Sequence, residues 1–310
     1  MRESLAVIDI GTNSVLLLVV RRLGNRLISL HEESETPCLG MGLAQTGRIS
    51  SPSITRLIRT LRHYRRICDL SGAARIITVG TQVFRAARNG KRVIKEVARH
   101  TGLRITVLPE GEEAKLAFFG AMSGLPQIHH GVLVDVGGGS TEFVLFQNRG
   151  IVRSVSLPVG AVVLCETALR RFWRISDTRL ARAQAVVSEH FSRLPMEFRH
   201  AAGSIIGVGG TITTLAALDR RLKKYHSDPV HGSNLTRRKI ERRLVAFRQM
   251  TVSDIRRAIP FDPARAPVLP AGTLIWVEVL KHLGGKSITV SHRGLRWGVA
   301  ESFFKSNGKA

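Results

Sequence analysis

The stretch LVDVGGGSTEF, Leu133–Phe143, sets three consecutive glycines between an aspartate and a glutamate, with a serine and a threonine beside them. Apolar residues before Asp135 and after Glu142 predict two strands joined by the glycine turn. Asp135 then ends one strand and Glu142 opens the next, so both carboxylates rim the same turn. Glycines accept φ > 0 without penalty and let a ligand approach the backbone, where exposed amides can wrap phosphate oxygens. Ser140 and Thr141 add hydroxyl donors. Anionic oxygens beside two carboxylates repel unless a hard divalent cation such as Mg²⁺ bridges them, so the pattern points to metal-phosphate chemistry. The plainer reading, a glycine hairpin with solvated acids, loses ground because the device recurs.

It recurs near the N-terminus in AVIDIGTNSVLLLVV, Ala6–Val20: an apolar strand, Asp9, small turn residues, another apolar strand. Asn13 and Ser14 are small donors for a phosphate, and Asp9 ends a buried strand where an acid is otherwise costly. A third turn, in GVGGTITTLAALD, places Gly209, Gly210 and Thr211 between a strand and a helix, so that the helix N-terminus can face a phosphate. The candidate phosphate-binding set is therefore Asn13, Ser14, Gly137, Gly138, Gly139, Ser140, Gly209, Gly210 and Thr211, with Asp135 and Glu142 as candidate metal ligands.

Working outward, residues 5–36 read as three short strands, followed by a helix at about 53–69, the strand RIITV, two helices and the strand RITVLP. EGEEAKLAFFGAM is acidic at its start, which suits a helix N-terminus. The pattern lapses at SGLPQIHH, giving domains of 1–123 and 124–310. After the lapse the plan restarts: GVLVDV, TEFVLF and IVRSVSLP as strands, helices from about 161 and 177, the strand GSIIGV, then mostly helix with one further strand, KSITV. Two successive copies imply a duplicated α/β architecture with a cleft between the halves.

With 47 Lys and Arg against 23 Asp and Glu, the chain of 310 residues carries a formal charge of +24. Such a field concentrates polyanions of any kind: nucleic acid, anionic membrane or polyphosphorylated small molecule. The clusters RHYRR, RRFWR, RRLKK and RRKIERR fall in segments with helical apolar spacing, and each alone reads as a solvated face. Aromatics are only 5%, too few for a single-strand stacking platform, and no helix-turn-helix pattern is present, so a specific nucleic-acid partner is not expected. No apolar run is long enough for a membrane span. MRESLAVID carries acids where a secretory leader has its apolar core, and the three scattered cysteines suit a reducing compartment, so the expected location is cytoplasmic.

These turns resemble those of the ribonuclease H-like superfamily of actin, sugar kinases and heat-shock ATPases. Within it, the chain is similar to the exopolyphosphatase / guanosine pentaphosphatase family, through AVIDIGTNS, VGTQVFRAARN, VLPEGEEAKLAFFGA, VDVGGGSTEF, SLPVGAV, GVGGTITTLAAL, HGSNLT and PARAPVLPAG in family order. The resemblance implies two ribonuclease H-like (actin-like ATPase) domains with an active-site cleft between them. It implies hydrolysis of a terminal phosphoryl group from inorganic polyphosphate, or from the 5′ end of guanosine pentaphosphate, (p)ppGpp. By motif, Glu113 is the expected general base that prepares the attacking water. Arg85 is the expected cation near the reacting group, with Asn13, Ser14, Gly138 and Ser140 lining the phosphates. The implied metal, held by Asp135 and Glu142, is Mg²⁺; Mn²⁺ in its place and stimulation by K⁺ are left open. A homodimer is the expected assembly.

The chain departs from the family pattern in two places. The usual Ser-Gly before the paired glutamates reads Pro109-Glu110, which adds a negative charge beside Glu113. The usual Arg-Glu-Gly near the C-terminus reads Arg296-Trp297-Gly298. Ending soon after Glu301, the chain is expected to be a short form without the additional C-terminal helical domains of longer members. His231 reads as a capping or structural histidine. A kinase or ATPase of the same superfamily and a catalytically silent polyanion- or RNA-binding protein are the rival readings, and a basic surface that steers polyphosphate reconciles the charge with the hydrolase.

Overall fold

In the computed structural model, which describes residues 4–24, 26–169, 174–200 and 203–307, the chain forms two compact units. Unit one comprises Met1–Ser123 and Arg293–Ala310, and unit two comprises Gly124–His292.

In unit one, β1 (Ser4–Ile10), β2 (Val15–Leu23) and β3 (Arg26–Glu35) form an antiparallel meander, and β4 (Arg75–Gly80) and β5 (Ile105–Val107) add in parallel beyond β1. The order is β3-β2-β1-β4-β5. β1 is apolar on both faces because both are covered. One face meets α1 (Leu43–Thr46), α2 (Ser51–Leu70), α3 (Gln82–Ala86) and α4 (Gly90–Thr101) through a core that includes Ile8, Leu17, Leu57, Leu61 and Val97. α2 starts where the Ser50 side chain accepts from the Ser53 amide, and buries Ile54, Leu57, Leu61, Tyr64 and Cys68 as one stripe. The arginines of RHYRR stay exposed on its other side. α5 (Glu110–Met122) completes the N-terminal segment.

Unit two repeats the plan with β6 (His130–Val136), β7 (Thr141–Gln147), β8 (Gly150–Leu157), α6 (Ala161–Leu164), α7 (Asp177–Phe191), α8 (Glu197–His200), β9 (Ile205–Val208), α9 (Gly210–Asp219), β10 (Asn234–Thr236), α10 (Arg237–Gln249), α11 (Val252–Ala258), α12 (Leu269–His282) and β11 (Ser287–Val290). The sheet order is β10-β11-β9-β6-β7-β8. From the other edge, β8-β7-β6-β9-β11 matches the order of unit one strand for strand, with β10 appended. Each unit therefore carries a ribonuclease H-like, actin-like ATPase sheet. β10 escaped the sequence reading because three residues, Asn234, Leu235 and Thr236, give no periodicity. No helix among the described residues is long and apolar enough to cross a membrane.

Two sequence expectations need correcting. The final helix, α13 (Leu295–Asn307), belongs to unit one and not to a domain of 124–310. Its Leu295, Trp297, Val299, Ala300, Phe303 and Phe304 cover the second face of that sheet, against Leu5, Val7, Leu18 and Val20. Without it, the face of β1 that carries Leu5 and Val7 would be bare. The cluster RRLKK is a loop and not a helix. Arg221 takes φ 56, its amide bonds the Leu218 carbonyl, and the Leu222 amide bonds Ala217, an αL helix ending filled by arginine where glycine is usual. Of RRFWR, residues 170–173 lie outside the described residues.

Candidate active site

The two Asp-bearing turns are built alike. Ile10 pairs with Val15 and the Gly11 amide donates to the Ser14 carbonyl at 2.9 Å. Val136 pairs with Thr141 and the Gly137 amide donates to the Ser140 carbonyl at 3.0 Å. A Cβ at Gly11 or Gly137 would stand 3.3 or 3.2 Å from that carbonyl oxygen. A side chain at either position would crowd that carbonyl oxygen. The expectation that the triple glycine serves φ > 0 does not hold, since none of Gly137, Gly138 and Gly139 is left-handed. The residue that the close packing of this turn requires to be glycine is Gly160. A Cβ on Gly160 would lie 2.5 Å from the Gly138 carbonyl, and the Ala161 and Val162 amides at the start of α6 bond the carbonyls of Gly137 and Gly138 at 2.9 and 2.8 Å. The motif SLPVGAV acts by clamping the turn.

In unit one, Thr12 and Asn13 are buried and tied from two sides. The Cys38 and Gly40 amides donate to the Asn13 and Thr12 carbonyls at 3.0 and 2.8 Å, and the Thr12 hydroxyl donates to Gln82 Oε1 at 3.2 Å. Asn13 Nδ2 donates to Ser14 Oγ at 3.3 Å. Gln82 opens α3, which carries Arg85. One guanidinium nitrogen of Arg85 reaches both the Leu108 carbonyl and Glu113 Oε2, each at 2.7 Å. Glu113 lies in the first turn of α5, with its side chain 17% exposed, while Glu110 and Glu112 are exposed. Burial pushes the Glu113 carboxyl above the ordinary carboxylate range; the Arg85 hydrogen bond and charge pull it back, and Glu110 adds to the rise. The geometry thus separates the three acids of EGEE, which the sequence alone left ambiguous.

In unit two, Asp135 and Glu142 are direct cross-strand partners, so both carboxylates stand on one face. Glu142 Oε1 accepts from Ser156 Oγ at 3.0 Å and from Ser140 Oγ. Like charges directly opposite destabilise a strand pair unless a cation offsets them. No group of three or more His, Cys, Asp or Glu side chains could hold a metal among the described residues. Two carboxylates completed by water and phosphate oxygens is a usual way of holding Mg²⁺, so the pair fits that ion.

The third turn joins this one. Gly209 takes φ 99, and a Cβ there would meet the Val136 carbonyl oxygen at 2.7 Å and Asp135 Oδ1 at 2.9 Å. Asp135 therefore sits against the turn that opens α9. Thr211 is fully buried, its hydroxyl against Gly272 of α12, so its side chain packs the helix and does not line an open site. Sequence reasoning missed Arg265. Its guanidinium lies on Gly210, where any Cβ would collide with it, and its Nε donates to Asp262 at 2.5 Å. PARAPVLPAG contained it, but no spacing linked it to Gly210. His231 contacts Ser291 Oγ at 3.3 Å and meets His292 edge-on, 5.1 Å between ring centroids.

Residues 18–307 match the sequence model of the Ppx/GppA phosphatase family. The chain is 31% identical to a bifunctional 3-dehydroquinate synthase/phosphatase of Fusobacterium nucleatum, over 92% of this chain and 44% of that protein, so it spans less than half the relative's length. It is 30% identical to Exopolyphosphatase 2 of Mycobacterium tuberculosis, over 96% of this chain and 97% of that protein. Among solved structures, the Aquifex aeolicus member of the Ppx/GppA family superposes with a TM-score of 0.81 at 28% identity, with both chains covered completely. An exopolyphosphatase-like protein superposes with a TM-score of 0.90 at 27% identity, over 98% of each chain.

Proposed function

The chain belongs to the Ppx/GppA phosphatase family, and from that premise we propose that it is an exopolyphosphatase, releasing the terminal phosphate of inorganic polyphosphate with Mg²⁺ and with a water activated by Glu113. The observation that carries the proposal is the Glu113–Arg85 pair: a half-buried carboxylate of raised pKa, held at 2.7 Å by a guanidinium anchored on Leu108. A base is more effective as its pKa approaches the working pH, and phosphoryl transfer asks for positioning and charge neutralisation above all. Support for the substrate comes from the full-length similarity to Exopolyphosphatase 2.

In this reading the water oxygen attacks the terminal phosphorus and its proton passes to Glu113. The bridging P–O bond breaks, leaving orthophosphate and a chain one phosphate shorter. Arg85 offsets negative charge near the reacting group, and Asn13 and Ser14 hold phosphate oxygens. In unit two the backbone of the Gly137–Ser140 turn and the Gly209–Gly210 turn does the same. Asp135 and Glu142 would hold Mg²⁺, or Mn²⁺ in its place, whose charge would offset that of the phosphates. Thr211 contributes packing of α9. The proposal includes a cytoplasmic homodimer; its cysteines are unbridged, and light scattering reads the assembly directly.

Phosphate release from long-chain polyphosphate, guanosine pentaphosphate and ATP, measured in parallel, tests the substrate. Fastest turnover of polyphosphate agrees with the proposal. Preference for guanosine pentaphosphate replaces it with the second activity of the family, and absence of release from all three moves the basic surface to a binding role.

A further inference from the structure

Three cations of the cluster RRKIERR line one concavity of about 280 Å³, Lys239, Arg242 and Arg243, together with Asp219 and Ala246, and the cluster RRLKK begins one residue after Asp219. Lys239 Nζ bonds Asp219 Oδ2 at 2.9 Å, and Arg243 donates to the Leu218 carbonyl at 3.3 Å, so α10 is fastened to the last turn of α9. RRLKK leaves from that same turn. The one acid of these stretches, Glu241, is engaged by Arg237, and Asp219 just before RRLKK is engaged by Lys239. Arg220, Lys224, Arg238 and Arg242 are exposed and form no ion pair among the described residues. Cations crowded without counter-charges repel one another, a cost that an arriving polyanion offsets.

We propose that this concavity is a second polyphosphate site, an anchor for the distal part of a long chain. The idea rests on the exopolyphosphatase reading and adds to it. α9 is the ruler: its N-terminus is the Gly209–Gly210 turn, its C-terminus is Asp219, and its 10 residues span about 15 Å. A long polyphosphate can engage both ends of α9, whereas tripolyphosphate held at the glycine turn leaves the far end empty. The lining carries positive charge and no aromatic residue, and Tyr225, the residue after RRLKK, meets Phe261, 6.4 Å between ring centroids. Nucleic-acid single strands are held largely by such stacking, so an unadorned phosphate chain is the better complement.

The test uses Glu113→Gln protein, which retains ligand without consuming it, with and without the four changes Arg220→Gln, Lys224→Gln, Arg238→Gln and Arg242→Gln. All four side chains are exposed, and thermal midpoints check the fold. Binding of long-chain polyphosphate, tripolyphosphate and oligouridylate is measured across a salt series. The proposal expects long-chain affinity to fall about tenfold or more at low salt relative to tripolyphosphate, and the slope of log affinity against log salt to flatten by about one for each phosphate that the variant no longer neutralises. Unchanged long-chain binding, an equal loss for tripolyphosphate, or oligouridylate binding as tight as long-chain polyphosphate would each overturn it. Phosphate release from tripolyphosphate by protein with Glu113 intact is scored separately. A hydrolase failure with the long-chain loss intact would remove the activity and leave the anchor standing.

Discussion

Glu113 and Arg85 can be separated by pH. If the Glu113 carboxylate is the base, as proposed, activity should fall as pH drops through its folded pKa, which burial raises and Arg85 lowers. Arg85→Gln removes the lowering partner and moves the acid limb of kcat/KM to higher pH, as well as slowing the reaction; a limb that stays in place would show that Glu113 is not the titrating group. Asp135→Asn and Glu142→Gln differ from this pair in what they disturb. Each should raise the Mg²⁺ concentration needed for half-maximal rate and leave the acid limb alone, which a metal titration at two pH values reads. Asp135 and Glu142 stood out in the sequence as acids beside glycines at strand ends, whereas Glu113 and Arg85 were named only through the family resemblance. Arg265 was picked out by neither, because its neighbour Gly210 is 55 positions away in the chain and touches it only in the folded unit.

At the scale of elements, the hairpins were readable from alternation, and the turns mattered for a reason the sequence did not express. Gly160 is small because its Cβ would strike the backbone of Gly138 and Gly139, and the first amides of α6 bond the same turn, whose glycines are not left-handed. Gly160→Ala puts a methyl 2.5 Å from the Gly138 carbonyl, and overpacking of this kind costs about 1–3 kcal/mol. Gly111→Ala, with nothing within 4 Å, is the matched control. Urea unfolding and phosphate-release rates should both single out Gly160→Ala; equal behaviour of the two variants would refute the clamp. RRLKK shows the converse limit, since arginine at an αL helix ending carries no composition signal.

At the scale of the whole molecule, the duplicated α/β architecture followed from the repeated strand plan and its ribonuclease H-like character from the family resemblance, but the return of α13 to unit one followed from neither. Helical periodicity says that a face is apolar, not which sheet receives it. The departure Arg296-Trp297-Gly298 is explained there. Arg296 bonds the Leu17 carbonyl at 2.8 Å and Glu32 at 2.6 Å, Trp297 stacks under Arg293 at 4.0 Å, and Gly298 lets α13 cross the Leu116 carbonyl of α5. Gly298→Val should therefore unfold unit one at lower denaturant than unit two, seen by hydrogen exchange as lost protection in β1 and β2. Uniform protection loss in both units would contradict this division.

The most direct test of the account is the single-turnover rate of phosphate release from long-chain polyphosphate, with Mg²⁺, for the wild-type protein and for Glu113→Gln. The account predicts a fall of about 10²-fold or more, with polyphosphate affinity and thermal midpoint retained and with EDTA abolishing the wild-type rate. A Glu113→Gln protein that turns over at the wild-type rate would contradict it.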